Sequence, residues 1–195
     1  MRKLILIAGM YRSGSTWLFN AVRMFLELKY GKENVYGCYI TDYKREDERQ
    51  FHVVKTHEYI QEIAEAADLI VLSERDFPGI AASMSKFHGI FYQAPEMAKL
   101  NEYYKEYFKY PDKSVEFEFD EITYSGISGS LGKILCMNRL IYKMLNLKII
   151  SMKASKVIRA GEIVELVQSI EKLPIPEGTP DYADPITLLH PKHRA

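Results

Sequence analysis

Gly9-Met10-Tyr11-Arg12-Ser13-Gly14-Ser15-Thr16 keeps the spacing of the phosphate-cradling pattern G-x-x-x-x-G-K-[ST] at every position but one. Ser15 stands where that pattern has its lysine. Glycines at this spacing let a tight turn present successive backbone N–H groups, and a helix that follows adds its positive N-terminal end. These two devices can hold a phosphate, whereas a magnesium triphosphate would lack its lysine partner. The plain alternative is a glycine-bearing turn between strand and helix that holds no ligand.

Further along, Lys55-Thr56-His57 closes a short apolar run, and in RDFPGIAAS Arg75 precedes Ser83 by eight positions. A histidine exchanges a proton near neutral pH and suits general-base work. An arginine with a serine hydroxyl suits charge-assisted hydrogen bonding to a second phosphate. Taken singly, such a histidine is more often a hydrogen-bonded surface residue, and such an arginine is usually solvated or ion-paired. Their order behind the glycine loop is what gives them weight.

Together these segments resemble one family. Tyr11-Arg12-Ser13-Gly14-Ser15-Thr16-Trp17 resembles the 5′-phosphosulfate loop of sulfotransferases, commonly P-K-S-G-T-T-W. Lys55-Thr56-His57 looks like the K-T-H of the cytosolic branch, and Arg75 with Ser83 is similar to the 3′-phosphate element. The resemblance covers about residues 3 to 90 and is weak beyond, where Val115 to Glu121 stands for the next strand and its acidic end. It implies a three-layer, P-loop-like α/β fold with a mainly parallel central sheet flanked by helices. It implies 3′-phosphoadenosine 5′-phosphosulfate (PAPS) as donor, 3′-phosphoadenosine 5′-phosphate (PAP) as product, and no metal. The acceptor would be a hydroxyl of a small molecule or saccharide.

Carried over residue by residue, the resemblance makes His57 the base, with Arg12 and Lys55 acting on the phosphosulfate. Arg12, Ser13, Gly14, Ser15, Thr16, Trp17, Arg75 and Ser83 would bind the donor. Arg12 departs from the family's lysine: it keeps the charge and adds a fork, but cannot donate a proton. Trp17 would lie beside the adenine, or serve only as core on a helix facing a sheet. The family's C-terminal glycine-rich phosphate loop is not evident, and the basic segment His190-Pro191-Lys192-His193-Arg194 is the candidate to replace it. Two other readings remain: a P-loop kinase acting on a nucleoside triphosphate, and a non-catalytic protein binding the same nucleotide.

The elements that must position these residues follow from periodicity. The continuous apolar runs Lys3–Ala8 and Asp68–Leu72 suit buried strands of a parallel sheet, with Val35–Ile40, Phe51–Lys55 and Val115–Phe119 as further strands. Helical spacing appears over Thr16–Leu28, Ile60–Ala67, Pro78–Lys86, Pro95–Tyr107, Leu131–Leu145 and Glu162–Leu173. This alternation predicts one α/β domain over residues 1–195, with 174–195 as an extended tail laid over the body. Phe87, Phe91, Tyr92, Tyr103, Tyr104, Tyr107 and Phe108 are either core or a wall of the acceptor cleft.

Composition narrows the partners. Lys plus Arg and Asp plus Glu are 26 each, so the net charge is zero and any anion site must be local. Neither nucleic acid nor a membrane is expected as a partner. Cys38 and Cys136 have no metal-ligand spacing and read as reduced, buried thiols in a cytoplasmic setting. His52, His88, His190 and His193 show no metal spacing and read as structural or surface residues.

Overall fold

The apolar runs become the middle of a sheet covered on both sides. The computed structural model is described over residues 2–88, 99, 102–123, 127–151, 160–177 and 183–190. Its strands are β1 (Lys3–Gly9), β2 (Val35–Tyr39), β3 (Phe51–Thr56), β4 (Leu69–Glu74) and β5 (Ser114–Glu118). They form a five-stranded sheet in the order β2-β3-β1-β4-β5, and every pairing is parallel. The helices are α1 (Ser15–Tyr30), α2 (Gln61–Ala66), α3 (Phe77–His88), α4 (Phe119–Thr123), α5 (Ile127–Asn146) and α6 (Ala160–Glu171). This is the three-layer α/β architecture that the sequence predicts.

A parallel sheet needs both faces covered, and β1 serves both by alternation. Ile5 and Ile7 join a core with Leu18, Val22 and Phe25 of α1, Met137 and Leu140 of α5, and Val167 of α6. Leu6 and Ala8 join the opposite core, with Ile63 and Ala64 of α2, Ile80 and Met84 of α3, and Tyr104 and Tyr107. The register is pinned at the strand starts: Asp68 accepts from Lys3 Nζ and from the Leu4 N–H, each at 2.9 Å.

Connectivity creates the crevice. β1 feeds α1 on one face, while its neighbours β3 and β4 feed α2 and α3 on the other. The loop after β1 therefore lies at the carboxyl edge where connections diverge, the usual ligand position in such sheets.

Some boundaries differ from expectation. β5 ends at Glu118, and Phe119 opens α4 instead of extending the strand. The expected Pro95–Tyr107 helix lies largely outside the described residues, although 102–106 are helical. In the tail, residues 183–190 form a compact turn. Asp184 Oδ1 accepts from the Ile186 and Thr187 N–H groups and from the Thr187 hydroxyl, and Leu188 has φ 53°. Among the described residues no helix is long and apolar enough to cross a membrane.

Candidate functional site

The loop between β1 and α1 is shaped by contacts that leave no room for side chains. A Cβ on Gly9 would sit 2.0 Å from Ser73 Oγ, and Gly14 holds φ 88° with Ile122 Cδ1 at 3.0 Å from a Cβ position. Between them Arg12 adopts φ 59°, the left-handed region a non-glycine residue seldom enters. The Ser13 hydroxyl, fully buried, donates to the Met10 carbonyl at 2.5 Å and lies 2.7 Å from Ser73 Oγ. Ser13 is thus a strut of the loop through its side chain and can offer a ligand only its N–H.

α1 starts with no side-chain cap and no acidic residue in its first turn. The backbone N–H groups of Ser13, Gly14, Ser15 and Thr16 donate to no acceptor among the described residues. An uncompensated helix end and N–H groups of this kind have the chemistry to hold an anion.

Three cations gather there. Lys55, at the end of β3, is 6% exposed, and its ammonium donates to Thr16 Oγ1 at 3.0 Å. Burial first and then Arg12 pull its pKa down from 10.5 to about 8. Arg12 is lowered as well, by burial and by Arg75, and its Nε donates to Ser83 Oγ at 2.8 Å. Arg75 Nη1 donates to the Arg12 carbonyl at 3.1 Å, and its guanidinium lies 3.7 Å over the Phe119 ring. Burial lowers Arg75 too, opposed by Asp76 and Asp120. Neither Lys55 nor Arg75 forms an ion pair among the described residues. Cations gathered in this way favour an anion between them.

The segments expected to form two phosphate subsites are therefore joined through Arg12, whose side chain meets Ser83 and whose carbonyl meets Arg75. A Cβ on Gly79 would fall 2.7 Å from Arg75 Nε, so a glycine there lets the arginine lie along α3.

His57 follows β3. Its Nδ1 lies 2.7 Å from the Gly9 carbonyl, and its ring stacks on Tyr11 with centroids 4.3 Å apart. A carbonyl only accepts, so Nδ1 carries the proton and Nε2 the lone pair of the neutral ring. No protein-family model matches this chain, and no curated protein does.

Arg12, Gly14, Ser15, Thr16, Trp17, Lys55, His57 and Arg75 all line one cavity of about 830 Å³. Ser13 and Ser83 stand behind this lining, Ser83 supporting Arg12. Trp17 packs against the α1-side core while also lining the cavity, and its Nε1 is buried without a hydrogen-bond partner among the described residues. Of the aromatic stretch, Tyr104 and Tyr107 are core residues, and none of its described members lines the cavity.

Sequence reasoning missed several walls. Tyr39, Thr41 and Asp42 enter from the end of β2, a position that sheet topology could have flagged once β2 was assigned. Leu188, Leu189 and His190 close another side. They are held by Asn20, buried in α1, whose Nδ2 donates to the Thr187 carbonyl at 2.7 Å. His190 borders the cavity, and the rest of the proposed basic segment, 191–194, lies outside the described residues. Among the described residues no group of three or more His, Cys, Asp or Glu is arranged to hold a metal ion.

Proposed function

We propose that this protein is a sulfotransferase that takes PAPS into the cavity behind β1 and moves its sulfuryl group to an acceptor hydroxyl. One observation carries the reading: Arg12, Lys55 and Arg75 converge with the loop N–H groups in a cavity that also presents His57. In the reaction the acceptor oxygen forms a bond to sulfur as the bond from sulfur to the 5′-phosphate oxygen breaks. His57 Nε2 takes the acceptor proton. The electron pair of the breaking bond goes to the phosphate oxygen, where Lys55, Arg12 and the loop N–H groups balance the charge. PAP and the sulfated acceptor leave.

The kinase reading is weaker on a specific point. In P-loop enzymes the hydroxyl at the Thr16 position helps to hold magnesium, but here it accepts from the Lys55 ammonium. A fixed cation in that place suits a transfer that needs no metal. A cytoplasmic setting belongs to the same reading. The thiols of Cys38 and Cys136 are free and buried, and each is pushed up to about 11, chiefly by burial.

Calorimetry without added metal tests the reading. PAP should bind, AMP much more weakly, and magnesium ATP more weakly than PAP. Arg75→Ala should cost PAP about 1.5–3 kcal/mol, the range for a hydrogen bond to a charged group, and cost AMP less. Equal affinity for PAP and AMP, or a preference for magnesium ATP, would overturn the assignment. Transfer of labelled sulfate from PAPS to a mixed hydroxyl library would then establish the reaction.

A further inference from the structure

α5 carries apolar side chains on two faces. Met137, Leu140, Ile141 and Met144 face the core, as the helical period requires. The outward face would ordinarily be polar. Here it carries Leu131, Leu135 and Tyr142, which are 57%, 54% and 67% exposed. Spacings of four and seven residues keep the three in one row along about 17 Å of helix. Asn138, also exposed, lies in the same row between Leu135 and Tyr142. Exposed apolar residues scattered singly are ordinary, but three large ones in one row make a face. None of the three lines the cavity.

The two edges of the row differ. By helical position, Ile134 and Leu145 flank it on one side, half-buried and packed against the core. Arg139 and Lys143 flank it on the other. Arg139 donates to Glu121 Oε1 and to the Glu116 carbonyl, each at 2.7 Å. α4, which bears Glu121, lies beside the first half of α5: a Cβ on Gly132 would sit 2.7 Å from the Glu121 carbonyl. The charged edge is therefore acidic towards the start of α5. It is basic towards the end, where Lys143 forms no ion pair among the described residues.

We infer that this face is the contact between two copies of the chain, with their α5 helices antiparallel about a twofold axis at Asn138. Such a pair sets each edge against the same edge of the other copy, running in the opposite direction. Leu135 then meets Tyr142 of the second copy, and Leu131 meets its Leu145. The two Asn138 amides lie together at the axis, where they satisfy one another and fix the register. The apolar edges close on each other. Lys143 comes beside Glu121 of the second copy, and the pair occurs twice. A parallel pair would set the charged edge against the apolar one and leave both lysines unmatched. The order of charge along α5 thus selects a second copy of this chain, whose own acid and base are placed to match. One helix face is a small contact, so association belongs to the weak, concentration-dependent class.

Sedimentation velocity over about 5–500 µM tests this, a range that spans weak self-association. The sedimenting mass should rise from 22.6 kDa towards twice that value with concentration. Leu135→Glu and Tyr142→Glu should each hold the protein at single-chain mass with the melting temperature of the wild type, because both side chains are exposed. Lys143→Glu should weaken association by about tenfold, two exposed ion pairs lost together. Oxidation of cysteine variants reads the orientation, since Cys38 and Cys136 are buried. Asn138→Cys should crosslink to itself, whereas Leu131→Cys should not, because its counterpart lies at the far end of the pair. Single-chain mass at every concentration overturns the inference, as does association that ignores both Leu135→Glu and Tyr142→Glu. A Leu131→Cys crosslink, or a dimer in which Asn138→Cys stays reduced, overturns the antiparallel contact. If the wild type stays single but is retained by phosphatidylserine vesicles, and Leu135→Glu is not, the face belongs to a membrane surface and the inference falls.

Discussion

The Lys55 ammonium lies 3.0 Å from Thr16 Oγ1 and donates to it, joining the end of β3 to the first turn of α1. This supplies from another strand the positive charge that Ser15 leaves out of the glycine loop. The substitution has a pH signature. In the free protein the Lys55 ammonium loses its proton at about 8, well below its ordinary value, through burial and the neighbouring Arg12. A bound phosphate or phosphosulfate favours the charged form. PAP affinity should therefore be level below that pH and fall above it, by at most about tenfold for each pH unit. Calorimetry from pH 6.5 to 9.5 would check this. In Lys55→Met the Lys55 step should vanish and affinity should be low throughout; an unchanged pH profile in that variant would remove Lys55 from the donor site.

The same residue should cost stability when no anion is bound. A lysine whose folded value is lowered from 10.5 to about 8 is charged in both states at pH 7, but less favourably in the folded one. The cost is about 3 kcal/mol at ~1.4 kcal/mol for each pH unit. The penalty is fully present below about pH 8 and fades as pH rises towards 10.5. Lys55→Met should accordingly stabilise the free protein at pH 7 by about 2–3 kcal/mol while weakening PAP. Chemical denaturation of both proteins at pH 7 and pH 10 would measure it. A destabilised variant would mean that packing and the bond to Thr16 outweigh the buried charge.

Gly9 offers a test of the loop geometry. An alanine Cβ there meets Ser73 Oγ at 2.0 Å, with the Ser73 carbonyl and Ser13 Oγ each at 3.0 Å. Gly9→Ala should lower Tm and PAP affinity together, by about 1–3 kcal/mol in stability as for other overpacked core sites. Removing the obstructing hydroxyl in Gly9→Ala/Ser73→Ala should recover part of both. Additive losses in the double variant would show that the clash is not the cause.

Much of this was legible because the signals were local. KLILIA had to be buried on both sides, so β1 and the parallel sheet followed. The glycine loop and the K-T-H segment were also contiguous. By contrast, the Arg12–Ser83 bond, the Arg75 contact with the Arg12 carbonyl and the Phe119 ring under Arg75 join positions far apart in the chain. No local pattern encodes them. The aromatic stretch shows the limit of composition: the periodicity that makes Tyr104 and Tyr107 core would equally have made them a cleft wall, and only the packing of 102–109 against α2 and α3 distinguishes the two. Asn20 gave no signal at all, since a buried asparagine that ties α1 to the Thr187 carbonyl looks in sequence like any helix residue.

His57 decides between an enzyme and a binding module. Its tautomer is fixed by the Gly9 carbonyl at 2.7 Å, which leaves the lone pair on Nε2, and stacking on Tyr11 holds the ring. On the proposed sulfotransferase reading, a base so held would act on the acceptor proton and have no need to touch the nucleotide. His57→Ala should slow sulfuryl transfer by about 10²–10⁴-fold, the usual contribution of a general base, with PAP affinity nearly kept. The same substitution removes the bond to Gly9, so a stability loss of about 1 kcal/mol is expected alongside. His57→Asn provides the control, because an amide N–H can still donate to the Gly9 carbonyl while no side-chain group can take the proton. If both variants lose transfer but only the alanine loses stability, His57 is the base. If asparagine restores transfer as well as stability, the residue serves to position the loop. If either variant turns over like the wild type, the proton goes elsewhere. A parallel loss of PAP binding in both would instead make His57 part of the donor site, and the non-catalytic reading would gain.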